Sequence, residues 1–339
     1  MSIVTLETAA PGAVFDFLET TVSPRGPEHW RWKYQLDRGL PGRAFYHAAS
    51  DGTVGGFVGL LPTTLHAGTT TARAAWFVDW ATRPGDGSVG IGVGLLRRAE
   101  AATDVLLTLQ GSADTRAILP KLRWQSTDTP ATWVRRLSAK SLVERGPLRA
   151  SALRVPARVA GRIVERFSRV TRPESGDLAL EEVERFAPSY DAVWERRRAE
   201  FAPVMERSSA QLNFMCADYP GGGYRCFLVR DHDEIAGHLV LRVDEKGGSR
   251  RGRIIDALWE RGRGGAAEWL VHSATWLLQE CGVDYIECTA STDDLQQALR
   301  ACRFRRRHAV PVWYHRLPAG VPTPDTWFIT YLDCDRAYR

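Results

Sequence analysis

The chain has 339 residues, of which 44% are hydrophobic and 25% are charged, and its formal net charge is +5. This length accommodates two domains with a core each, and the composition is that of an ordinary globular protein. The mild positive charge favours anionic ligands, but it is too small to predict nucleic-acid binding.

Targeting signals are not apparent in the sequence. No apolar run approaches the roughly 20 residues of a membrane span, and the N-terminus lacks the basic and then apolar pattern of a signal peptide. All six cysteines lie in the C-terminal half, without the spacing of a metal site. We therefore expect a cytoplasmic protein with free buried thiols, no metal and no membrane partner.

The first half opens with a short strand, two helical segments and a hairpin, and strand–helix–strand units follow. In chain order we predict strand 3–7, helix 13–21, a helical stretch 29–34, strands 43–49 and 54–61, strand 74–82, helix 89–103, strand 104–109, helix 113–122 and strand 131–137. The turn at Asp51 and Gly52 is a strong hairpin signal between the second and third strands.

The second half repeats this order. It comprises strand 178–183, helix 189–201, a helical stretch 209–217, strands 224–230 and 235–241, a strand around 255–257, helix 266–281, strand 285–289 and helix 293–301. Early hairpins and late strand–helix–strand units indicate a mixed α/β sheet in each half. We predict an N-terminal domain 1–138 and a C-terminal domain 177–339, related by internal duplication.

A linker, 139–176, separates the two predicted domains and is rich in arginine, alanine and proline. Apolar residues at near-helical spacing within 155–170 predict a helix that packs Val159, Ile163 and Phe167 on one domain, with its arginines in solvent. The alternative is a basic surface for an acidic partner or a tRNA.

A glycine-rich loop follows the predicted strand 74–82. The strand ends before Pro84, and Gly90, Gly92 and Gly94 lie where the next helix begins. Unpaired N–H groups at a helix N-terminus attract anions, and glycine lets a phosphate reach the backbone. The loop lacks a Walker lysine and the sequence context of a dinucleotide fingerprint. It therefore predicts an anion site without identifying the anion.

Residues 82–96 resemble motif A of the GNAT superfamily, the acyl-CoA-dependent N-acyltransferases. Residues 82–84 fit the V-x-P of that motif, and 90–96 fit its glycines and paired leucines, whereas Gly87 and Ser88 replace its Arg-Gly. The repeated element order is similar to tandem GNAT proteins over nearly the whole chain. The resemblance implies an acyl-CoA cosubstrate, such as acetyl-CoA, bound through the following residues: Ala81, Thr82, Gly87, Ser88, Val89, Gly90, Ile91 and Gly92.

Only the first half is expected to bind CoA. The corresponding second loop, 259–266, has glycines but lacks the remainder of the motif, and Glu260 would bring a negative charge near the phosphates. We interpret the second domain as a degenerate copy that shapes the substrate cleft. Arg261 and Arg263 keep a second anion site open as the alternative.

The resemblance also indicates where the chemistry occurs. GNAT folds place oxyanion donors on the strand before the CoA loop, here 80–82, and an acidic residue in that strand can orient or deprotonate the amine. Asp79 is therefore a candidate catalytic residue. The alternative is a structural role, because Asp256 repeats it in the second half and a carboxylate can satisfy the amides of a strand bulge.

The general acid of the family is missing, because Leu119 stands where GNAT enzymes often have a tyrosine. Either Tyr46 or His47 serves instead, or the thiolate leaves unaided. Strand alternation places these two side chains on opposite faces of the sheet. Tyr46 is the candidate catalytic residue, and His47 is a candidate for the substrate site.

The segment 28–34 combines aromatic and cationic side chains in a region that borders the acceptor site in GNAT folds. Trp30 and Tyr34, four residues apart, share a helix face and are expected in the core. His29, Trp32 and Lys33 are the candidates for lining the acceptor pocket.

Together these features predict an N-acyltransferase that moves an acetyl or other acyl group from acyl-CoA to the amine of a small molecule. Tandem proteins of this kind are associated with specialised-metabolite, polysaccharide or amino-sugar biosynthesis. Two alternatives remain: a Fem-type transferase that uses aminoacyl-tRNA, or a non-catalytic CoA-binding protein. The sequence does not determine the oligomeric state.

Overall fold

The computed structural model describes residues 2–6, 12–35, 43–85, 88–138, 169–174 and 176–338. These residues form two mixed sheets, of eight and seven strands, with helices packed against them. The predicted linker lies almost entirely outside the described residues, as do its helix and its apolar stripe.

The first half contains seven strands and four helices among the described residues. In chain order these are β1 Ser2–Thr5, α1 Gly12–Phe17, α2 Pro27–Lys33, β2 Ala44–Ala48, β3 Val54–Ala67, β4 Thr70–Thr82, α3 Ser88–Glu100, β5 Val105–Leu109, α4 Ala113–Ile118, β6 Gln125–Thr127 and β7 Ala131–Arg136.

The second half begins with β8 Leu178–Val183, α5 Asp191–Phe201, β9 Val204–Met205 and α6 Ser209–Leu212. It continues with β10 Tyr224–Asp231, β11 Glu234–Lys246, β12 Ser249–Leu258, α7 Ala266–Glu280, β13 Tyr285–Ala290, α8 Asp293–Ala301, β14 Arg305–Ala309 and β15 Val312–Tyr314. A segment without long regular elements then runs to residue 338.

Each half contributes its last strand to the sheet of the other half. The first sheet has the order β1-β2-β3-β4-β5-β15-β6, and the second has the order β14-β7-β13-β12-β11-β10-β8. The first-half strand β7 thus lies between two second-half strands, and β15 lies between β5 and β6. The repeated element order did not predict this exchange. The predicted domain boundaries therefore do not coincide with the division of the strands between the two sheets.

The hairpin of β3 and β4 is longer than predicted. β3 continues beyond residue 61 to Ala67 and stays paired with β4 along its whole length. Beyond Pro62 the strand gains a second partner, because Leu65 and His66 pair with residues of β9. The extended part of β3 therefore contacts the second half. Local sequence periodicity could not predict this contact.

Three apolar clusters fill the two sides of the sheets. On one face of the first sheet, Leu95, Leu96 and Ala99 of α3 pack on β3 and β4, which confirms the predicted buried face of that helix. The opposite face is covered by α1 and α2, with Trp30 and Tyr34 in the core as expected. The largest cluster combines residues of both halves, so the two sheets share one continuous core.

The six cysteines are all free, and five of them are buried, as the sequence predicted. No helix among the described residues is long and apolar enough to cross a membrane.

Candidate active site

The site begins where two neighbouring parallel strands separate. β4 and β5 pair from Ala74 with Val105 to Trp76 with Leu107, and β4 then continues without this partner to Thr82. The other edge of β5 is held by β15. A gap therefore opens between β4 and β5, and backbone groups of β4 that would otherwise pair with a strand face this gap.

A β-bulge changes the direction of β4 at the gap. Phe57 pairs with Ala81 and Gly59 pairs with Val78, so Asp79 and Trp80 lie opposite a single residue of β3. Asp79 has a φ angle of 52°, in the left-handed region. A bulge turns a side chain out of the regular alternation, which is common beside functional sites.

Asp79 is the centre of a buried polar network. Its Oδ2 accepts hydrogen bonds from Lys33 Nζ and Tyr34 Oη, both at 2.5 Å. Lys33 is 2% exposed, and its Nζ also contacts Asp335 Oδ2 at 3.2 Å. Two carboxylates therefore share one ammonium, which offsets the cost of burying the lysine.

Gly59 allows Tyr34 to reach this network. A β-carbon on Gly59 would clash with the Tyr34 ring and hydroxyl, so the absence of a side chain lets the tyrosine lie directly on β3. The sequence analysis placed Tyr34 in the core but did not predict that its hydroxyl bonds to Asp79. The sequence indicated only that a buried tyrosine hydroxyl needs some hydrogen-bond partner.

The N-terminus of α3 lies beside the same gap. Trp80 Nε1 donates to Gly92 O at 3.0 Å and thereby joins the bulge to the first turns of the helix. Ile91 lies against Gly56, where a β-carbon would be too close. A β-carbon on Gly90 would meet nothing within 4 Å, so this turn is open to a ligand. The arrangement fits an anion such as a pyrophosphate.

One cavity of about 960 Å³ joins these features and extends into the second half. Its first-half wall includes residues 77–82 of β4, Ser88, Gly92 and residues 108–112. The second-half wall carries the following polar and charged residues: Lys246, Arg251, Arg253, Glu287, His308, Tyr331, Cys334, Asp335 and Arg336.

The structure brings part of the predicted site together. Five predicted residues line the cavity: Asp79, Ala81, Thr82, Ser88 and Gly92. Gly90 and Ile91 belong to the first turns of α3 but are not on the wall. Gly87 lies outside the described residues, and for Val89 only the helical backbone is described.

The aromatic residues of α2 lie away from the cavity wall. Trp32 Nε1 donates to Phe214 O at 3.0 Å, and its ring packs on second-half aromatics, so it joins the two halves. His29 is buried among aromatic rings, including Tyr338. Burial, followed by the charge of Lys33, lowers the pKa of His29 to about 3, so its ring is neutral at pH 7.

Tyr46 and His47 occupy opposite faces of β2, as alternation predicts. Tyr46 packs against the α1 and α2 cluster, as Ala81 does. His47 lies against Gly55 near Ile91 of α3. Neither residue lines the cavity, so the structure does not bring either one to the gap, and their proposed roles remain predictions.

The sequence analysis did not predict that the second half contributes to the site. Asp335 and Arg336 reach the cavity from the C-terminal segment, and Arg251 and Arg253 reach it from β12. These residues carry no motif, and only the packing of the two halves places them near Asp79. Among the described residues, no cluster of His, Cys, Asp or Glu could hold a metal ion.

The corresponding gap in the second half is filled. β12 and β13 pair only as far as Ile254 with Cys288. The C-terminal segment then bridges the gap, because Leu332 N donates to Ile255 O at 3.1 Å and Ile329 N donates to Ser291 Oγ at 2.8 Å. The apolar side chains of this segment are buried there, so the segment occupies the space between these strands.

Charged residues of the second loop are also engaged. Arg261 Nε donates to Asp294 Oδ2 at 2.7 Å, and Arg263 forms ion pairs with Asp177 and Asp231. These contacts direct the two arginines to protein carboxylates and do not favour a second anion site.

Asp256, which corresponds to Asp79, has different surroundings in the second half. It is 1% exposed, and its Oδ2 lies 2.9 Å from both Arg207 Nε and His238 Nε2. Thr330 Oγ1 donates to its other oxygen at 2.6 Å. Burial opposes ionisation of Asp256, but the charge of Arg207 and the other contacts outweigh it and lower the pKa.

Comparison with known proteins identifies the fold. No protein-family model and no curated protein matches this sequence. A GCN5-related N-acetyltransferase of Anabaena variabilis matches with a TM-score of 0.60 and 13% identity, over 92% of this chain and 72% of its own. Saccharomyces cerevisiae N-myristoyltransferase, solved with bound myristoyl-CoA, matches with a TM-score of 0.64 and 10% identity, over 98% of this chain and 82% of its own.

A conserved protein of Enterococcus faecalis matches with a TM-score of 0.59 and 10% identity, over 92% of this chain and 71% of its own. At these identities the likeness establishes the fold. The chain has the tandem GNAT fold with two mixed sheets, and the predicted fold class is confirmed.

Proposed function

We propose that this tandem GNAT-fold chain is an acyl-CoA-dependent N-acyltransferase, with CoA bound by the first half and an amine acceptor bound between the halves. The acyl group is acetyl or a longer chain, and the acceptor is a small molecule. The observation that carries the proposal is the contrast between the two gaps. The gap between β4 and β5 opens into the cavity, whereas the gap between β12 and β13 is filled by the C-terminal segment.

The open gap suits a thioester for two reasons. Its entrance lies beside the N-terminus of α3, where backbone N–H groups and the helix dipole favour the CoA phosphates. Its floor is the bulge of β4, whose backbone N–H groups are suitable donors to an oxyanion on the thioester carbonyl.

In the proposed reaction, the amine nitrogen bonds to the thioester carbonyl carbon, the carbon–sulfur bond breaks, and CoA leaves as a thiolate. The proton released by the amine passes to a carboxylate. Asp79 is in position for this task, because it lies on the cavity wall and is held by Lys33 and Tyr34. Without the family tyrosine, the thiolate leaves unaided, which the modest pKa of a thiol permits.

The test is calorimetric titration of acetyl-CoA and of a long-chain acyl-CoA into the full chain. We expect one site per chain. Gly90→Glu should abolish binding, because the new carboxylate lies at the N-terminus of α3 and has room to fold there. Gly264→Glu is the matched control, since it introduces the same charge next to α7 at a position that is equally open.

Retained binding in Gly264→Glu and lost binding in Gly90→Glu would support the first-half site. The opposite pattern would move CoA to the second half and contradict the proposal. Absence of any acyl-CoA binding by the unmodified chain would reject this function in favour of the aminoacyl-tRNA alternative.

A further inference from the structure

The second-half wall of the cavity carries positive charge that acyl transfer by itself does not require. Arg251 and Arg253 project from β12, and Arg336 follows Asp335 in the C-terminal segment. Lys246, at the end of β11, adds a fourth cation at an exposed position. All four side chains belong to the same wall as Asp335.

Two of these cations, Arg251 and Arg253, contact protein carboxylates. Arg251 Nε donates to Asp244 Oδ1 at 2.7 Å, and Arg253 bonds to the other oxygen of Asp244. Arg251 Nη1 also contacts Glu287 Oε2 at 3.3 Å. Arg336, by contrast, has no ion pair with a carboxylate among the described residues.

Arg336 is held in place by contacts with neutral groups. Its guanidinium lies over the Tyr331 ring at 4.7 Å, and Nη2 donates to Thr132 Oγ1 at 3.2 Å. Its Nη1 is buried and has no hydrogen-bond partner among the described residues. Arg336 lines the cavity, and a guanidinium without a carboxylate partner is a suitable donor to a ligand anion there.

Carboxylates lie at the other end of the polar wall. Asp79 and Asp335 both contact the ammonium of Lys33, and both line the cavity. An acceptor amine that approaches Asp79 in its ammonium form would therefore meet complementary charge. Arg336 is the next residue after Asp335, so the acidic and basic parts of the wall adjoin.

We propose that the acceptor is an amine that also carries an anionic group, a carboxylate or a phosphate, held by Arg336 with Lys246 nearby. This inference rests on the proposed function and specifies its substrate class. The ammonium faces Asp79 and Asp335, and the anion faces the arginines. The CoA phosphates are assigned to the separate cradle at α3, on the first-half wall.

The test uses matched pairs of amines that differ in one anionic group. β-Alanine is compared with β-alaninamide, and O-phosphoethanolamine with ethanolamine, by calorimetry on the full chain with and without saturating CoA. We expect at least one anionic member to bind roughly 10-fold to 100-fold more tightly than its neutral partner, the range for a charge-assisted hydrogen-bonded contact. The pair with the larger ratio distinguishes carboxylate from phosphate.

Arg336→Gln should remove the preference for the anionic member. Lys246→Gln, at an exposed position that tolerates substitution, should reduce the preference by a smaller factor, so the test survives if the first variant misfolds. Arg307→Gln is the control, because it removes the same charge from an exposed part of β14 outside the cavity wall.

Equal binding of charged and neutral amines by the unmodified chain would overturn the inference. Weaker CoA binding by Arg336→Gln, with unchanged amine selectivity, would also overturn it and assign the anion to CoA. Failure of the unmodified chain to bind acyl-CoA rejects the proposed function instead, and the titrations without CoA still report the amine preference.

Discussion

Asp79 and Asp256 occupy corresponding strands of the two halves, yet their surroundings differ. Asp79 lies on the cavity wall with Lys33 and Tyr34 as hydrogen-bond donors. Asp256 is enclosed by Arg207, His238 and Thr330 and does not line the cavity. We therefore propose a catalytic role for Asp79 and a structural role for Asp256.

We predict that Asp79→Asn lowers kcat by about 100-fold or more, because an amide cannot accept the proton of the amine. Lys33 keeps Asp335 as an ion-pair partner, so the fold should persist. Steady-state kinetics combined with calorimetry will show whether kcat falls while the Kd for acyl-CoA stays unchanged. An asparagine variant with full activity would leave Asp79 only an orienting role.

The matched variant Asp256→Asn should behave in the opposite way. It leaves buried Arg207 with one carboxylate instead of two, and breaking such a pair costs about 3 kcal/mol of unfolding free energy. Urea unfolding will measure this loss, and kcat per folded molecule should change little. If both variants lose only stability, the functional distinction between the two halves fails.

His29 predicts a pH dependence of stability. Its pKa is about 3 in the folded chain, below the ordinary value of 6.5, because of burial first and the nearby Lys33 charge second. The unfolded chain therefore binds more protons, and the stabilisation is present above pH 6.5 and is lost as pH falls toward 3.

Between pH 7 and 5 this single group should cost about 2 kcal/mol of unfolding free energy. Urea unfolding at both pH values, on the original chain and on His29→Phe, will isolate the effect. The phenylalanine variant should lose about 2 kcal/mol less over this interval. Identical losses in the two proteins would show that His29 is not buried in its neutral form.

At the scale of elements, α2 and α3 both approach β3 closely, and these contacts fix their positions around the site. Tyr34 of the α2 end crosses Gly59, and Ile91 of α3 lies against Gly56 on the other face of the sheet. Both helices can therefore lie close to the bulge of β4. The sequence marked the α3 side through its glycine motif but gave no comparable signal for α2.

Gly59→Ala should destabilise the chain by about 1–3 kcal/mol, because the added methyl group forces Tyr34 away from Asp79. Gly90→Ala is the comparison, since its methyl group meets no atom and alanine favours the helix by about 0.5–1 kcal/mol. Thermal unfolding of both variants will give the difference. Equal melting temperatures would argue against the close contact of Tyr34 with β3.

At the scale of the molecule, the exchange of β7 and β15 ties the two halves together. Each sheet is completed by a strand from the other half, and the largest apolar cluster spans both. The proposed acceptor site also depends on this arrangement, because Asp335 and Arg336 reach the cavity from the C-terminal segment.

We expect the full chain to unfold in one cooperative transition, since neither sheet retains all its strands once the other half unfolds. Differential scanning calorimetry should give equal calorimetric and van't Hoff enthalpies. An acyl-CoA that binds only the first half should then shift the whole transition upward. Two resolved transitions, with only one shifted by ligand, would contradict this coupling.

The sequence by itself determined most of the helices and strands and the duplication, although it did not indicate β6, β9, β14 and β15. Hydrophobic periodicity located α3 and the strand before it, and the glycines of 90–94 marked the loop between strand and helix. Asp79 could also be selected, because it lies a few residues before a recognisable motif. These features are local, so short-range chemistry along the chain specifies them.

Only the tertiary structure decided which gap is open, which strands are exchanged and which second-half residues meet Asp79. Asp335 is separated from Lys33 by most of the chain, and no periodicity or motif links them. The filled gap of the second half likewise depends on where residues 327–333 pack. Such contacts arise from the burial of distant apolar segments in one core, which a linear pattern does not record.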